Sequence, residues 1–374
     1  MDVFWIWLTL INGLGPITQK RLLDCFHTPE NIFHAFNSRS ECLPRLSQNI
    51  LKQLEDKSYL EKASRIEEQM YKKDIKLLTI HHPHYPSLVK NVRDFPVLLY
   101  YRSKLPLRPS GIGIVGSRRC TSYGKEITMA VGDFLAKENI PVVSGMAKGI
   151  DGYAHTACIQ AGGYTTAFLA HGVDMCYPSE QNSLMDRIID HGAVISEYAP
   201  GVRPKQKYFP RRNYLLSVWI DKLLVVEATE RSGALITASM AKKLGKEVLA
   251  VPNNIYQDES KGTNRLIKDG ATIFLTNDQL LLKQNDDSIL SKAEPEGALN
   301  RNKRVGDKRN RALSVIEKSI YDALTTPKPP EELLDLLEGD FVRLNDILFS
   351  MEMDGIVRVL PGNLIAKVQS GSVV

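Results

Sequence analysis

The chain has 374 residues, 43% of them hydrophobic and 24% charged, with a formal net charge of +5. That length admits two or three domains with a sizeable core, and that balance excludes a disordered, collagen-like or membrane-filling chain. The charge is unevenly placed: Lys and Arg outnumber Asp and Glu by 24 to 18 over residues 81–282 and by 8 to 5 over residues 283–311, whereas acids prevail by 10 to 5 over residues 312–374.

The apolar run at residues 3–11 is too short for a membrane span, follows an acidic residue and lacks a basic leader, so neither a signal peptide nor a membrane anchor is expected. Residues 1–80 read as a helical domain with no strand pattern, from the spacing of Leu22, Leu23 and Phe26, then Ile32, Phe33 and Phe36, and a charged amphipathic run at 50–71. Within it Gly13, Leu14, Gly15 and Pro16 make a tight turn before a helix. This is either a plain helix-helix turn or one similar to the hairpin of helix-hairpin-helix and SAM-like DNA-binding modules.

Residues 81–282 form the next domain, where short apolar strands alternate with helices of ordinary length, the pattern of parallel βαβ units. Strands are expected at 113–115, 142–144, 166–170, 193–196, 222–227, 247–251 and 272–275. Helices are expected at 123–137, 152–160, 179–190, 234–244 and 264–269. The fold class is therefore α/β, an extended Rossmann-like, doubly wound sheet that would bind its ligand at the carboxyl ends of its strands. Residues 283–311 read as a basic flexible linker, almost free of bulky apolar residues and rich in cations from Arg301 to Arg311. Residues 312–374 predict helices at 316–324, 330–337 and 343–353 and a hairpin across Pro361 and Gly362, which makes a winged-helix domain.

Four turns of the middle domain have phosphate-binding character. Gly116, Ser117, Arg118 and Arg119 end an apolar strand where a helix begins, and Gly145, Met146 and Lys148 do the same after the next one. Backbone N–H groups at helix N-termini bind anions, glycine permits close approach, and the cations supply charge that a packing turn would not need. Ser232 and Gly233 form a third such turn, and Lys261 with Asn264 a fourth. Between them lies the densest positive stretch, Arg203, Lys205, Lys207, Arg211 and Arg212, interleaved with Tyr208 and Phe209 and followed by Asn213. Cations beside aromatics suit single-stranded nucleic acid, the cations following phosphates and the rings stacking on bases; a solvated loop anchored by Phe209 is the plainer reading. No nucleotide-triphosphate, zinc-protease or serine-hydrolase motif occurs, and no cofactor, metal site or catalytic residue is expected. Asp151 and His155, four apart on one helix face, read more simply as a helix-start residue and a polar contact than as an acid/base pair. The five cysteines have no metal-ligand or disulfide spacing, which suits a reduced cytoplasm.

Gly116-Ser117-Arg118, the run from Ser144 to Asp151, Phe209-Pro210-Arg211-Arg212-Asn213, and Val226-Glu227-Ala228 with Ser232-Gly233-Ala234-Leu235-Ile236-Thr237 together resemble the DprA (Smf) DNA-processing family. So, in order, do His155, Tyr177-Pro178 with Asn182, Ile195-Ser196-Glu197 and Val251-Pro252. The resemblance spans the middle domain and implies a protein that binds and protects single-stranded DNA, forms a homodimer and loads RecA recombinase during natural transformation, without being an enzyme. It implies that Arg118, Lys148, Arg211 and Arg212 hold phosphates. Tyr214 and Asn253 depart from the family pattern of arginine and glycine at those places. The acidic last domain is expected to contact a protein or regulate the core rather than grip duplex DNA, with any extra DNA affinity supplied by Arg301 to Arg311. The alternative is a nucleoside-phosphate hydrolase of the lysine-decarboxylase-like Rossmann group, which would use Glu227 or Asp151, although Thr229 to Gly233 stand where that group has a glycine-rich phosphate turn.

Overall fold

The computed structural model describes residues 2–37, 46–86, 89, 92–105, 110–282, 313–360 and 364–368. The cation-rich segment from Arg301 to Arg311 and the hairpin tip at Pro361 and Gly362 lie outside them. Two compact units divide at residue 280.

The first unit begins with five helices, α1 (Asp2–Leu10), α2 (Pro16–Phe26), α3 (Pro29–Asn37), α4 (Gln48–Glu55) and α5 (Ser58–Lys72). The turn between α1 and α2 is tied from inside. Gln53 accepts from the Asn12 backbone N–H at 2.9 Å and donates to its carbonyl at 3.2 Å, while Gln19 donates to Leu14 O at 2.8 Å. Those bonds are the mark of a structural helix-helix turn. The helical segment ends short of the expected boundary at residue 80, because strand β1 (Ile75–Thr79) follows and pairs antiparallel with β2 (Leu98–Ser103).

After these come β3 (Ile112–Val115), α6 (Ser122–Lys137), β4 (Val142–Ser144), α7 (Ile150–Gln160), β5 (Thr165–Phe168), α8 (Asn182–His191), β6 (Gly192–Ser196), α9 (Tyr208–Trp219), β7 (Lys222–Val225), α10 (Gly233–Lys243), β8 (Glu247–Ala250), α11 (Asp258–Lys268) and β9 (Thr272–Ile273). The nine strands form one sheet in the order β1-β2-β6-β5-β4-β3-β7-β8-β9. From β6 to β9 all neighbours are parallel, and β2 joins β6 antiparallel. From β3 the chain winds outward through β4, β5 and β6, then returns to place β7 on the other side of β3. That reversal makes the sheet doubly wound, with its switch point between β3 and β7.

Strand residues alternate between two cores, as the two-residue period of a strand requires. Tyr100, Ala167 and Val194 join the core shared with Ile6, Trp7, Leu22 and Leu184, whereas Leu99, Phe168 and Ile195 join that of Leu215, Trp219 and Ala238. The N-terminal helices and α8 therefore cover one face, and α9 and α10 the other.

The helix α9 corrects the reading of residues 203–213 as a loop. Its proline, Pro210, lies in the first turn, where the missing N–H would have had no partner within the helix. The second unit comprises α12 (Val315–Ala323), a 3-10 segment at Pro330–Leu337 in place of an expected helix, α13 (Phe341–Met353), and the antiparallel pair β10 (Val357–Leu360) and β11 (Leu364–Lys367). Its own core is formed by Ile320, Leu333, Leu344, Leu348, Met351 and Val357.

Candidate nucleic-acid interface

The carboxyl ends of β6, β5, β4, β3 and β7 follow one another along the sheet edge, and their turns are tied together by backbone contacts. The first two glycine turns touch, because Ile150 N–H donates to Ser117 O at 3.2 Å and Gly149, with φ of 75°, packs against that carbonyl. A side chain at Gly149 would strike the Ser117 and Arg118 backbone. The Asp151 carboxylate accepts from the N–H groups of Gly145 at 3.2 Å and Ala147 at 3.3 Å, closing the second turn onto the start of α7.

Arg212 is the centre of this arrangement. It is only 6% exposed and donates through Nη1 to the carbonyls of Gly145 and, at 2.9 Å, Phe168, while Nε donates to Asn213 Oδ1 at 2.9 Å. The guanidinium occupies the space where a side chain at residue 145 would go, which is why glycine stands there. Burial lowers the Arg212 pKa, opposed by the charge of Asp151; burial raises that of Asp151, opposed by the charge of Arg212. A buried cation is tolerable when its donors are answered and a counter-charge is near.

Arg212 was expected to hold phosphate and is instead an internal brace, with Asn213 occupied in holding it. Arg211 is also engaged, donating from Nε to Glu197 Oε2 at 3.1 Å and from Nη2 to Asp94 O at 2.7 Å, with Asp94 Oδ2 3.5 Å from Nη1. Met146 turns its side chain into the core. Lys148 is half-buried, with Nζ 3.9 Å from Glu180.

Arg118, Arg119, Lys205 and Lys207 are exposed and form no ion pair among the described residues. Ser117 aims the first pair outward by accepting from Arg119 N–H at 3.1 Å and donating to its carbonyl at 2.7 Å. Lys205 and Lys207 border Tyr208, 5.9 and 5.8 Å from its ring centre, and Tyr208 stacks on Tyr198 at 4.1 Å. Phe209 is half-buried against Tyr177. In the third turn Ser232 caps α10 by accepting from Ala234 N–H at 3.2 Å, leaving Gly233 exposed. The fourth is more local: Lys261 pairs with Asp258 within α11, and Asn264 pairs with Asn253 across the turn after β8. The Tyr198–Tyr208 stack and the Asp94 contact were missed, since partners so far apart leave no local signal.

The switch-point crevice, where such sheets commonly receive a nucleotide, is filled. Glu227, wholly buried at the end of β7, accepts from Thr121 N–H at 2.9 Å and from its hydroxyl, and Gly124 leaves room for that carboxylate. Both carboxylates on which hydrolysis would depend, Glu227 and Asp151, thus serve as internal acceptors.

Residues 76–285 match the family model described as DNA recombination-mediator protein A. The chain belongs to this family. It is 31% identical over 341 residues to the protein Smf of Synechocystis sp., covering 89% of this chain and 85% of that one. It is 38% identical over 198 residues to the DNA processing protein DprA of Streptococcus pneumoniae, covering 53% of this chain and 70% of that one. The X-ray structure of DprA from Streptococcus pneumoniae aligns with a TM-score of 0.59 at 30% identity, over 74% of this chain and 96% of that one.

Two outcomes follow from the buried groups. Arg212→Leu should lower unfolding free energy by about 3 kcal/mol or more, because it strands two carbonyls and the Asp151 charge, while Arg118→Ala should change it by less than about 0.5 kcal/mol; urea denaturation of both variants reads the difference. His155 is buried, with Nδ1 2.6 Å from Thr165 Oγ1, and burial, helped by the Arg212 charge, pulls its pKa from 6.5 down to about 3. Between those values the unfolded chain binds the extra proton, so stability present above pH 6.5 is lost as pH falls. From this residue the loss should be about 2 kcal/mol by pH 5. Denaturation at pH 7 and pH 5 should show a shallower loss in His155→Asn, and equal losses would refute the assignment.

Proposed function

We propose that the chain binds single-stranded DNA along the carboxyl edge of its sheet, as a non-enzymatic cytoplasmic protein of DNA processing during natural transformation. The observation that carries this reading is the separation of its outward cations. Arg118 and Arg119 follow β3 and Lys205 and Lys207 follow β6, strands whose ends lie three positions apart, or ~14 Å at the usual strand spacing. Such a span suits successive phosphates of a polymer better than a single nucleotide, and the aromatics between them suit unpaired bases. The filled crevice argues against the hydrolase alternative.

The finer readings rest on further observations. Membership of a recombination-mediator family supports handover of the strand to RecA. The sheet ends at β9, an edge strand on which Ile273 is 42% exposed, with Leu275 just beyond it 73% exposed, and an open apolar edge supports a homodimer. The order of helix, 3-10 segment, helix and hairpin supports a winged helix in the second unit. Its α13 sets Arg343 against Asp346 and Glu352, a charge that suits a protein partner better than duplex DNA. The five N-terminal helices support the helix-hairpin-helix or SAM-like reading in outline only, given the inward ties at the first turn. No described helix is long and apolar enough to cross a membrane, and Cys25, Cys120, Cys158 and Cys176 form no disulfide among the described residues, in keeping with a reducing compartment.

Fluorescence anisotropy with labelled oligo-dT and the matching duplex tests the central reading. The single strand should bind more tightly, the logarithm of its affinity should fall linearly with the logarithm of salt, and Arg118→Ala should weaken it and reduce that slope by about 1. Equal affinity for both forms, or no salt dependence, would sink the proposal; tight duplex binding would also refute the reading of the acidic unit. Sedimentation of the full chain checks the partners: a dimer is expected at micromolar concentration, Leu275→Asp should be monomeric, and purified RecA should co-sediment. A monomeric wild type or RecA sedimenting alone would overturn the corresponding claim.

A further inference from the structure

Tyr177 lies in the loop that follows β5 and is 50% exposed, although its ring is held on its inner side. Phe209 meets it at 6.0 Å between centroids and His171 at 6.4 Å, both at tilted or edge-on angles. Phe209 is itself set 5.8 Å from the guanidinium of the buried Arg212. The ring is therefore anchored to the most constrained part of the carboxyl edge while half of its surface stays open.

Cations lie on the segments next to those that hold it. Lys148 approaches Glu180, three residues beyond Tyr177, at 3.9 Å and so brings the second glycine turn beside the loop. Lys205 and Lys207 precede Phe209 by four and two residues and are exposed. An exposed ring near cations is matched by a ligand with a flat apolar face joined to anionic groups. A free phosphate would leave the ring bare, and an apolar peptide would leave the exposed Lys205 and Lys207 without an anion. A nucleobase within a strand meets both demands.

We propose that Tyr177 is a stacking platform for one nucleobase of the bound strand, a role that rests on the single-strand reading above. The ring needs little ordering on binding, so the stacking energy is not consumed in fixing it, and a π-face accepts any base. The platform should therefore add affinity without sequence preference and without adding to the salt dependence.

The test compares oligo-dT with an abasic strand of equal length in anisotropy titrations over a salt series. Tyr177→Ala should weaken oligo-dT binding about 10-fold, leave abasic-strand affinity unchanged and keep the wild-type salt slope, whereas Tyr177→Phe should retain wild-type affinity. In the wild-type chain, strands carrying a fluorescent base analogue quenched by stacking should lose emission on binding, a readout that needs no variant. The platform is overturned if Tyr177→Ala binds oligo-dT like the wild type, if it weakens both strands equally, or if no position of the analogue is quenched. A wild type that binds oligo-dT and the abasic strand equally well removes the platform alone. One that binds neither removes the single-strand reading and the platform with it.

Discussion

A positive charge enclosed at Arg212 sets the geometry of the whole carboxyl edge. Its donors reach the carbonyl of Gly145 beyond β4 and that of Phe168 at the end of β5, from a helix that follows β6. Two neighbouring strand ends are thereby held to one side chain. The requirement that every donor of a buried guanidinium be answered leaves little freedom in where those carbonyls lie. Asp151, four residues beyond Ala147, gathers the N–H groups of the same turn and supplies the opposing charge. Glycine at 145 follows from the bulk of the guanidinium, and glycine at 149 from the close approach of the Ser117 carbonyl.

The same brace divides the cations of the edge into two populations. Arg211 and Arg212 are adjacent on a helix and so point about 100° apart; one turns into the sheet edge and the other toward Glu197 and Asp94. Both are spent on internal partners. Arg118, Arg119, Lys205 and Lys207 form no ion pair among the described residues, and the turn of the first two is held against Gly149 and Ile150. A mobile set of surface lysines would have to be ordered by the ligand at an entropic cost. Here the backbone under the cations is ordered beforehand.

What could be read from the amino-acid order depended on whether the determining contacts were local. The seven strands from β3 to β9 were legible because each is a short apolar run ended by small or turn-forming residues, and the second glycine turn announced itself by composition. Strands β1 and β2 were not. Ile75–Thr79 continues straight out of an amphipathic helix, and Leu98–Ser103 is a nearly continuous apolar run whose strand character depends on antiparallel partners at both sides. The helix at Tyr208–Trp219 was hidden by Pro210 and by the density of charge before it. Which arginine of the Arg211–Arg212 pair is buried could not be inferred at all, since the atoms that decide it are backbone carbonyls 67 and 44 residues away.

The buried Glu227 decides how a Rossmann-like sheet can serve a polymer. In an open doubly wound sheet the reversal of strand order leaves a crevice at the carboxyl ends, and a small ligand can sink into it. Here a carboxylate from the end of β7 enters that crevice, is answered by the backbone and hydroxyl of Thr121, and requires glycine at 124 to fit. The carboxylate fastens the start of α6 to the end of β7, and so fixes where the chain leaves the Arg118 and Arg119 turn. An anion meeting this edge encounters a row of turns with outward cations and half-exposed rings, and at the reversal a buried carboxylate. Such a surface has little means of selecting a single nucleotide, but it can collect many weak, repeated contacts along an extended strand. Affinity built in this way grows with ligand length and weakens with salt.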